Sequence, residues 1–216
     1  VNLKPYRDWV FDCDGVLLDS NRVKTDAFHD LAVVYSQAAA DALVAHHQAT
    51  GGVSRFEKVR WLHEELLDGP ADEDAIARDI ARYGELCREA LTRCAVLPGV
   101  RAFLDALPAG SRRFVVSGGL ESEVAHALDA HGLTFDGVHG SPTDKDTHFA
   151  DLQRRGHLDD AVYFGDSRYD HVVAARFGVD FVFVDGVSEF ADADAYFATH
   201  PILGRVPDFT ALTVGR

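Results

Sequence analysis

Apolar residues fall into two textures along this chain. Trp9-Val10-Phe11 is a short continuous apolar run ending in Asp12-Cys13-Asp14-Gly15, which predicts a buried strand entering a turn. From about residue 20 to residue 93 the spacing is helical. Ala27, Phe28, Leu31 and Ala32 share one face, Ala38 to Ala49 is alanine-rich, and Phe56, Val59, Leu62 and Leu66 follow. Ile76, Ile80, Tyr83 and Leu86 complete the block, with breaks expected at Thr50-Gly51-Gly52 and Asp68-Gly69-Pro70. After Leu97-Pro98-Gly99 helices alternate with short apolar runs. Helices are expected at Val100 to Leu107, Glu121 to His131, His148 to Arg155 and Tyr169 to Phe177. The strands between and after them are Phe114-Val115-Val116, a weak one at Gly137-Val138-His139, Ala161 to Phe164, and Phe181 to Val184. Only the stretch from His200 to Arg216 has no clear pattern.

Strands alternating with helices imply βαβ units and a parallel sheet. The expected fold is therefore α/β, a Rossmann-like sheet interrupted after its first strand by an all-helical insert. Its boundaries place residues 1–18 and 94–216 in the core and 19–93 in the insert.

Thirty-five Asp and Glu against 21 Lys and Arg give a formal charge of −14, which argues against nucleic acid as the main partner. A small anionic substrate stays compatible, because a local field can oppose the net charge. Cys13, Cys87 and Cys94 form neither a disulfide framework nor a zinc pattern, and Cys13 reads as a small core residue. With no apolar run of membrane-spanning length and no signal-peptide pattern, a cytoplasmic setting without membrane attachment is expected, as monomer or homodimer.

Candidate chemistry collects where the predicted strands end. Ligands of an open parallel sheet bind beyond the carboxyl ends of its strands. Asp12 and Asp14 lie there, then Ser117-Gly118-Gly119, Lys145, and Gly165-Asp166-Ser167 with Asp170. Such a set suits phosphoryl transfer through a covalent intermediate: one carboxylate attacks phosphorus, a second moves the proton. Asp12 and Asp14 are two apart, so an extended segment turns both to one side. Clustered carboxylates repel each other and the phosphate, which calls for a hard divalent cation such as Mg²⁺. Ser117 and the amides around Gly118 can hold phosphoryl oxygens, and Lys145 can neutralise charge near Asp12.

Asp12-Cys13-Asp14-Gly15-Val16-Leu17, Ser117, Lys145 and Gly165-Asp166-Ser167 with Asp170 resemble, in order, the four motifs of the haloacid dehalogenase superfamily. Leu97-Pro98-Gly99-Val100 and Gly132-Leu133 before Phe135-Asp136 are similar too, so the resemblance spans nearly the whole chain. The insert resembles the small helical cap of the phosphoglycolate phosphatase and β-phosphoglucomutase branch. The resemblance implies Asp12 as nucleophile, Asp14 as acid and base, and Ser117 and Lys145 as phosphate binders. It also implies Mg²⁺ on Asp12, the backbone carbonyl of Asp14, and Asp166, supported by Asp170. Lys145 precedes Asp146-Thr147-His148 where that branch often has proline; Arg112 and Arg113 are the poorer alternatives.

Family dehalogenases lack a second carboxylate at the place of Asp14, so its presence favours phosphate chemistry. Asp170 either supports the metal or caps a helix; Ser167 reads as a cap. In the insert, Arg55 follows Gly51-Gly52-Val53-Ser54 and either grips a second anionic group or is a solvated helix-start arginine. Lys24 stands where the mutase relatives tend to carry histidine and is either a surface lysine or a substrate contact. Lys58 and Arg60 are expected to be solvated, and His46, His47, His126, His131 and His148 to lie on the surface or at the cap interface. The expected activity is a Mg²⁺-dependent phosphatase for a small phosphorylated metabolite, a sugar phosphate or phospho-acid. The alternatives are a phosphomutase and a non-catalytic phosphometabolite-binding protein.

Overall fold

The computed structural model describes residues 1–67 and 71–215. The break expected at Asp68-Gly69-Pro70 lies outside the described residues. A two-residue strand β1 (Asn2–Leu3) precedes β2 (Asp8–Phe11), whose four residues are all buried. Four helices follow: α1 (Asn21–Ala32), α2 (Gln37–Ala49), α3 (Arg55–Trp61), continued by one π-helical turn at Leu62–Leu66, and α4 (Glu73–Arg93). Ser36 caps α2 by accepting from the Ala39 amide, and Asp72 caps α4 by accepting from the Asp74 amide.

The chain then returns to the sheet. In order come α5 (Val100–Asp105), β3 (Arg112–Leu120), α6 (Glu121–Ala130), β4 (Gly137–Ser141), α7 (Lys145–Arg154), β5 (Ala161–Gly165), α8 (Arg168–Phe177) and β6 (Asp180–Val184). After α9 (Ala193–Phe197), the segment the sequence left unplaced, from His200 on, carries β7 (Gly204–Val206), a short 3-10 turn at Phe209–Ala211, and β8 (Thr213–Val214).

Six strands form one parallel sheet in the order β4-β3-β2-β5-β6-β7, and β1 pairs with β8 in a separate two-stranded sheet. Phe11 is in register with Val115 on one side and Phe164 on the other, so Asp12, Ser117 and Asp166 leave the sheet at the same edge. The order changes direction around β2, which is where an open sheet makes its ligand crevice. Phe11 stacks on Phe164 at 5.0 Å between ring centres. Phe209 packs on Phe11, Phe103 and Phe164 at 6.1, 5.2 and 5.4 Å. The terminal segment thus closes the core and adds the sixth strand. It escaped the sequence pattern because β7 is a three-residue edge strand with a single buried residue. No helix among the described residues is long and apolar enough to cross a membrane.

Candidate active site

Asp12 directly follows β2, and its amide still donates to the Phe164 carbonyl at 2.8 Å. The next residues form a tight turn in which Gly15 has φ +73°. A Cβ there would lie 2.2 Å from Asp166 Oδ2, so glycine is required by both backbone and space. The turn brings Asp12, Asp166 and Asp170 together: one carboxylate oxygen from each lies within 4.8 Å of the others, and all three residues are buried. Asp12 accepts from the Cys13 amide at 2.7 Å, and its other oxygen is 3.1 Å from Lys145 Nζ. Burial pushes its pKa up to about 7, with Lys145 pulling the other way. Burial, then the charges of Asp12 and Asp170, push Asp166 up as well, against the Asn21 amide that donates to its Oδ2 at 2.6 Å. Two carboxylates so strained toward protonation, with oxygen donors only, fit a hard cation such as Mg²⁺.

The four aspartates expected at that cation are divided. Asp14 turns its side chain away, accepting from Ser20 Oγ at 2.6 Å and Lys24 Nζ at 2.7 Å. Only its backbone carbonyl, the atom the resemblance named, remains for a metal. Burial works to raise the pKa of Asp14, but Lys24 and Ser20 outweigh it and leave the group below the usual carboxylate range. Asp170 takes the capping alternative. It closes a capping box with Ser167 at the start of α8, and its Oδ1 takes Lys145 Nζ at 2.5 Å and the Tyr163 hydroxyl at 2.6 Å. Both its oxygens are thus engaged, which makes it a support for Lys145.

Lys145 is the first residue of α7, whose N-cap Asp144 accepts from the Thr147 amide at 2.7 Å. The lysine is 1% exposed and lies behind Asp12. Arg112 sits at the opposite end of its strand, held by Asp8 at 2.7 Å and 3.0 Å. Ser117 is buried, with its hydroxyl accepting from the Gly119 amide at 3.0 Å. The cleft wall at this point is Gly118 and Gly119 rather than the serine.

The helical insert covers this edge and leaves a cleft of about 750 Å³, mouth included. Asp12, Asp14 and Asp166 line its floor; Phe28, Tyr83 and Lys58 line the insert side. The Gly51-Gly52 loop rests directly on the core. A Cβ on Gly118 would lie 2.3 Å from the Gly52 carbonyl oxygen. Gly118→Ala is therefore expected to force this loop off the core, lowering kcat/KM by about a hundredfold. Its thermal midpoint should stay close to wild type, and a variant with unchanged kinetics would show that this approach has no catalytic role.

Three insert residues differ from expectation or resolve it. Lys58, expected to be solvated, is 2% exposed and lines the cleft, because α3 turns that face inward with Arg55 and Val59. Arg55 is also buried, its guanidinium held bidentately by both Glu123 oxygens of α6. Lys24 is buried against Asp14 rather than solvated. Arg60 does stay at the surface, with Glu73. Sequence reasoning missed Tyr163, Asn21, Ser20 and Glu123, and placed His47 at the surface or cap interface, where it lines the cleft. For Tyr163 a signal existed, since a hydroxyl inside a fully buried strand must find a partner; Glu123 gave none, as an ordinary helix-start acid.

A parallel-sheet enzyme core with three converging buried aspartates and a buried lysine defines the class. The sequence matches the haloacid dehalogenase-like hydrolases over residues 9–178, and the chain belongs to that family. Solved structures share its fold. CbbY from Rhodobacter sphaeroides, in complex with phosphate, superposes with TM-score 0.72 at 17% identity, over 97% of each chain. A phosphonoacetaldehyde hydrolase-like protein from Oleispira antarctica gives 0.75 at 16%, covering 96% of this chain and 90% of that one. A hydrolase from Pseudomonas syringae gives 0.71 at 18%, with 94% of each covered. A comparison with curated proteins finds no significant match.

Proposed function

We propose that the protein is a Mg²⁺-dependent phosphatase that cleaves a small phosphate monoester through an aspartyl-phosphate on Asp12. The observation that carries this is the convergence of buried Asp12, Asp166 and Asp170, with Lys145 paired to Asp12 and Asp170, beneath a cleft whose floor shows Asp12 and Asp166. The fold shared with CbbY, whose structure holds phosphate, agrees with it.

In this reading an Asp12 oxygen attacks phosphorus, the P–O bond to the leaving alcohol breaks, and that oxygen takes a proton from Asp14. Water then attacks the acyl phosphate, gives its proton to Asp14 and releases inorganic phosphate. The resting geometry explains how one group does both. Lys24 holds Asp14 ionised, the state that accepts a proton from water. When an entering phosphoryl group draws the Lys24 ammonium toward itself, burial outweighs the remaining Ser20 bond, and Asp14 takes up from solvent the proton that it then gives to the leaving oxygen. Lys145 pairs with Asp12 and Asp170 and holds the Asp12 pKa down against burial, which favours the ionised nucleophile beside another carboxylate. Mg²⁺ would sit on Asp12, Asp166 and the Asp14 carbonyl and supply charge neutralisation for the phosphoryl oxygens. The helical insert, residues 19–93 by the proposed boundaries, acts as the lid that excludes bulk water.

Asp14 also bears on the alternatives, because a proton donor for a leaving oxygen is needed for phosphate esters. Released phosphate, measured across phosphorylated sugars, acids and nucleotides with Mg²⁺, is the expected product. EDTA should remove the activity and added Mg²⁺ restore it. Isomerised sugar phosphate in place of released phosphate would indicate a mutase, and no turnover of any ester would reject the enzymatic reading.

A further inference from the structure

Four Lys or Arg side chains are buried among the described residues: Lys24, Arg55, Lys58 and Lys145. Three are paired with carboxylates. Lys24 pairs with Asp14, Arg55 with Glu123, and Lys145 with both Asp12 and Asp170. Lys58, among the described residues, has no carboxylate within ion-pairing distance, although it is 2% exposed. Its Nζ donates to His47 Nδ1 at 2.8 Å and reaches the His47 carbonyl only at 3.5 Å. An ammonium carries three N–H donors, so at least one remains free on the cleft wall.

His47 brings no compensating charge. Burial, then Lys58 itself, pushes its pKa down to about 2, so the ring is neutral and accepts at Nδ1. Its Nε2 faces Glu189 Oε2 at 3.8 Å, and that carboxylate already accepts from Thr25 Oγ1 at 2.7 Å. Burial, then Lys24, pulls the Lys58 amine down to about 7, with Asp14 and Glu189 opposing. A cation held in this state is costly to the fold and is relieved by an anion.

We propose that Lys58 is a specificity residue that receives a single carboxylate on the leaving group of the substrate. The proposal deepens the phosphatase reading and rests on it for the phosphoryl end of the cleft. Lys58 lies on the insert wall of the cleft whose floor carries Asp12, so one ligand can touch both. One ammonium matches one carboxylate. A second phosphate would be a dianion in need of another cation, and the other cations lining the cleft are engaged: the Arg55 fork by both oxygens of Glu123, Lys24 by Asp14, and Arg168 over the Tyr196 ring. Phe28 and Tyr83 line the same cleft with ring centroids 4.2 Å apart, an apolar surface suited to a carbon skeleton more than to a polyhydroxylated one.

The test compares 3-phosphoglycerate with glycerol 3-phosphate, which replaces the carboxylate by a hydroxymethyl group, and includes fructose 1,6-bisphosphate. The wild-type protein with Mg²⁺ is expected to prefer 3-phosphoglycerate over glycerol 3-phosphate by about tenfold or more in kcat/KM. Lys58→Met should bring that ratio to about one, through a higher KM for 3-phosphoglycerate, and Lys58→Arg should recover part of it. A wild-type ratio near one, the same ratio in Lys58→Met, or a preference for the bisphosphate would each overturn the proposal. If Lys58→Met fails to fold, the wild-type ratio and the bisphosphate comparison still decide. If the wild-type protein turns over none of these esters nor p-nitrophenyl phosphate, the phosphatase reading has failed instead. Calorimetric binding of 3-phosphoglycerate against glycerol 3-phosphate then decides the role of Lys58 alone.

Discussion

Asp12→Asn is expected to lower turnover of phosphate esters by about four orders of magnitude, or about 5 kcal/mol of transition-state stabilisation. An amide oxygen is a poor nucleophile and cannot form the acyl phosphate. Wild-type protein quenched in acid during turnover should carry a hydroxylamine-labile phosphate, and the variant should carry none. The same substitution should stabilise the metal-free protein. Asp12 is pushed by burial from the usual carboxylate range up to about 7. Between about pH 4 and pH 7 the folded state therefore binds a proton that the unfolded state has lost, so stability falls as pH rises through this window. Asparagine has no such dependence. At pH 8 without metal the variant should be more stable than wild type by a few kcal/mol, on the order of 2–4 from that shift. The advantage should vanish near pH 4. Mg²⁺ should reverse the ranking by binding the wild-type carboxylates. Substantial activity in Asp12→Asn would remove the nucleophile assignment; a pH-independent stability difference would show instead that Asp12 is not held under electrostatic strain.

How far the sequence reached follows from what kind of signal each feature leaves. The strands β2, β5 and β6 were legible as short continuous apolar runs, and the helices through the periodicity that one buried face imposes. The residues at the strand ends were legible because topology forces them to one edge, so Asp12, Ser117, Lys145 and Asp166 could be named before their contacts were known. What was not legible is pairwise. Nothing in the sequence tells that Glu123 closes Arg55, that Tyr163 bridges Lys145 and Asp170, or that α3 turns Lys58 inward. A lysine reads as solvated by default, and only tertiary packing reverses that. The terminal segment failed for a different reason. Phe209 fills the core from a single turn, and one residue has no period.

Lys145→Met should be the most damaging single change for the fold around the site. The ammonium is 2.5 Å from Asp170 Oδ1 and 3.1 Å from both Asp12 Oδ2 and the Tyr163 hydroxyl. Methionine approximates the stem but leaves buried Asp12 and Asp170 without their cation, a loss of roughly 3–5 kcal/mol for a broken buried pair. The sign of its pH dependence separates electrostatics from packing. Burial pushes Asp12 up while Lys145 holds it down, so removing the lysine moves the Asp12 pKa further up. A carboxylate with a raised folded pKa costs nothing below its unfolded pKa and its full penalty above the folded one. The destabilisation measured by denaturant unfolding should therefore be largest at pH 8 and shrink toward pH 4. Mg²⁺, bound by the same carboxylates, should recover part of the lost stability in the variant, whereas turnover should stay down by about a hundredfold or more, because the cation that holds the attacking Asp12 ionised is gone. A stability loss equal at pH 4 and pH 8 would mean that Lys145 fills space, and the reading of the aspartate cluster as a charge-balanced phosphoryl-transfer centre would lose its support.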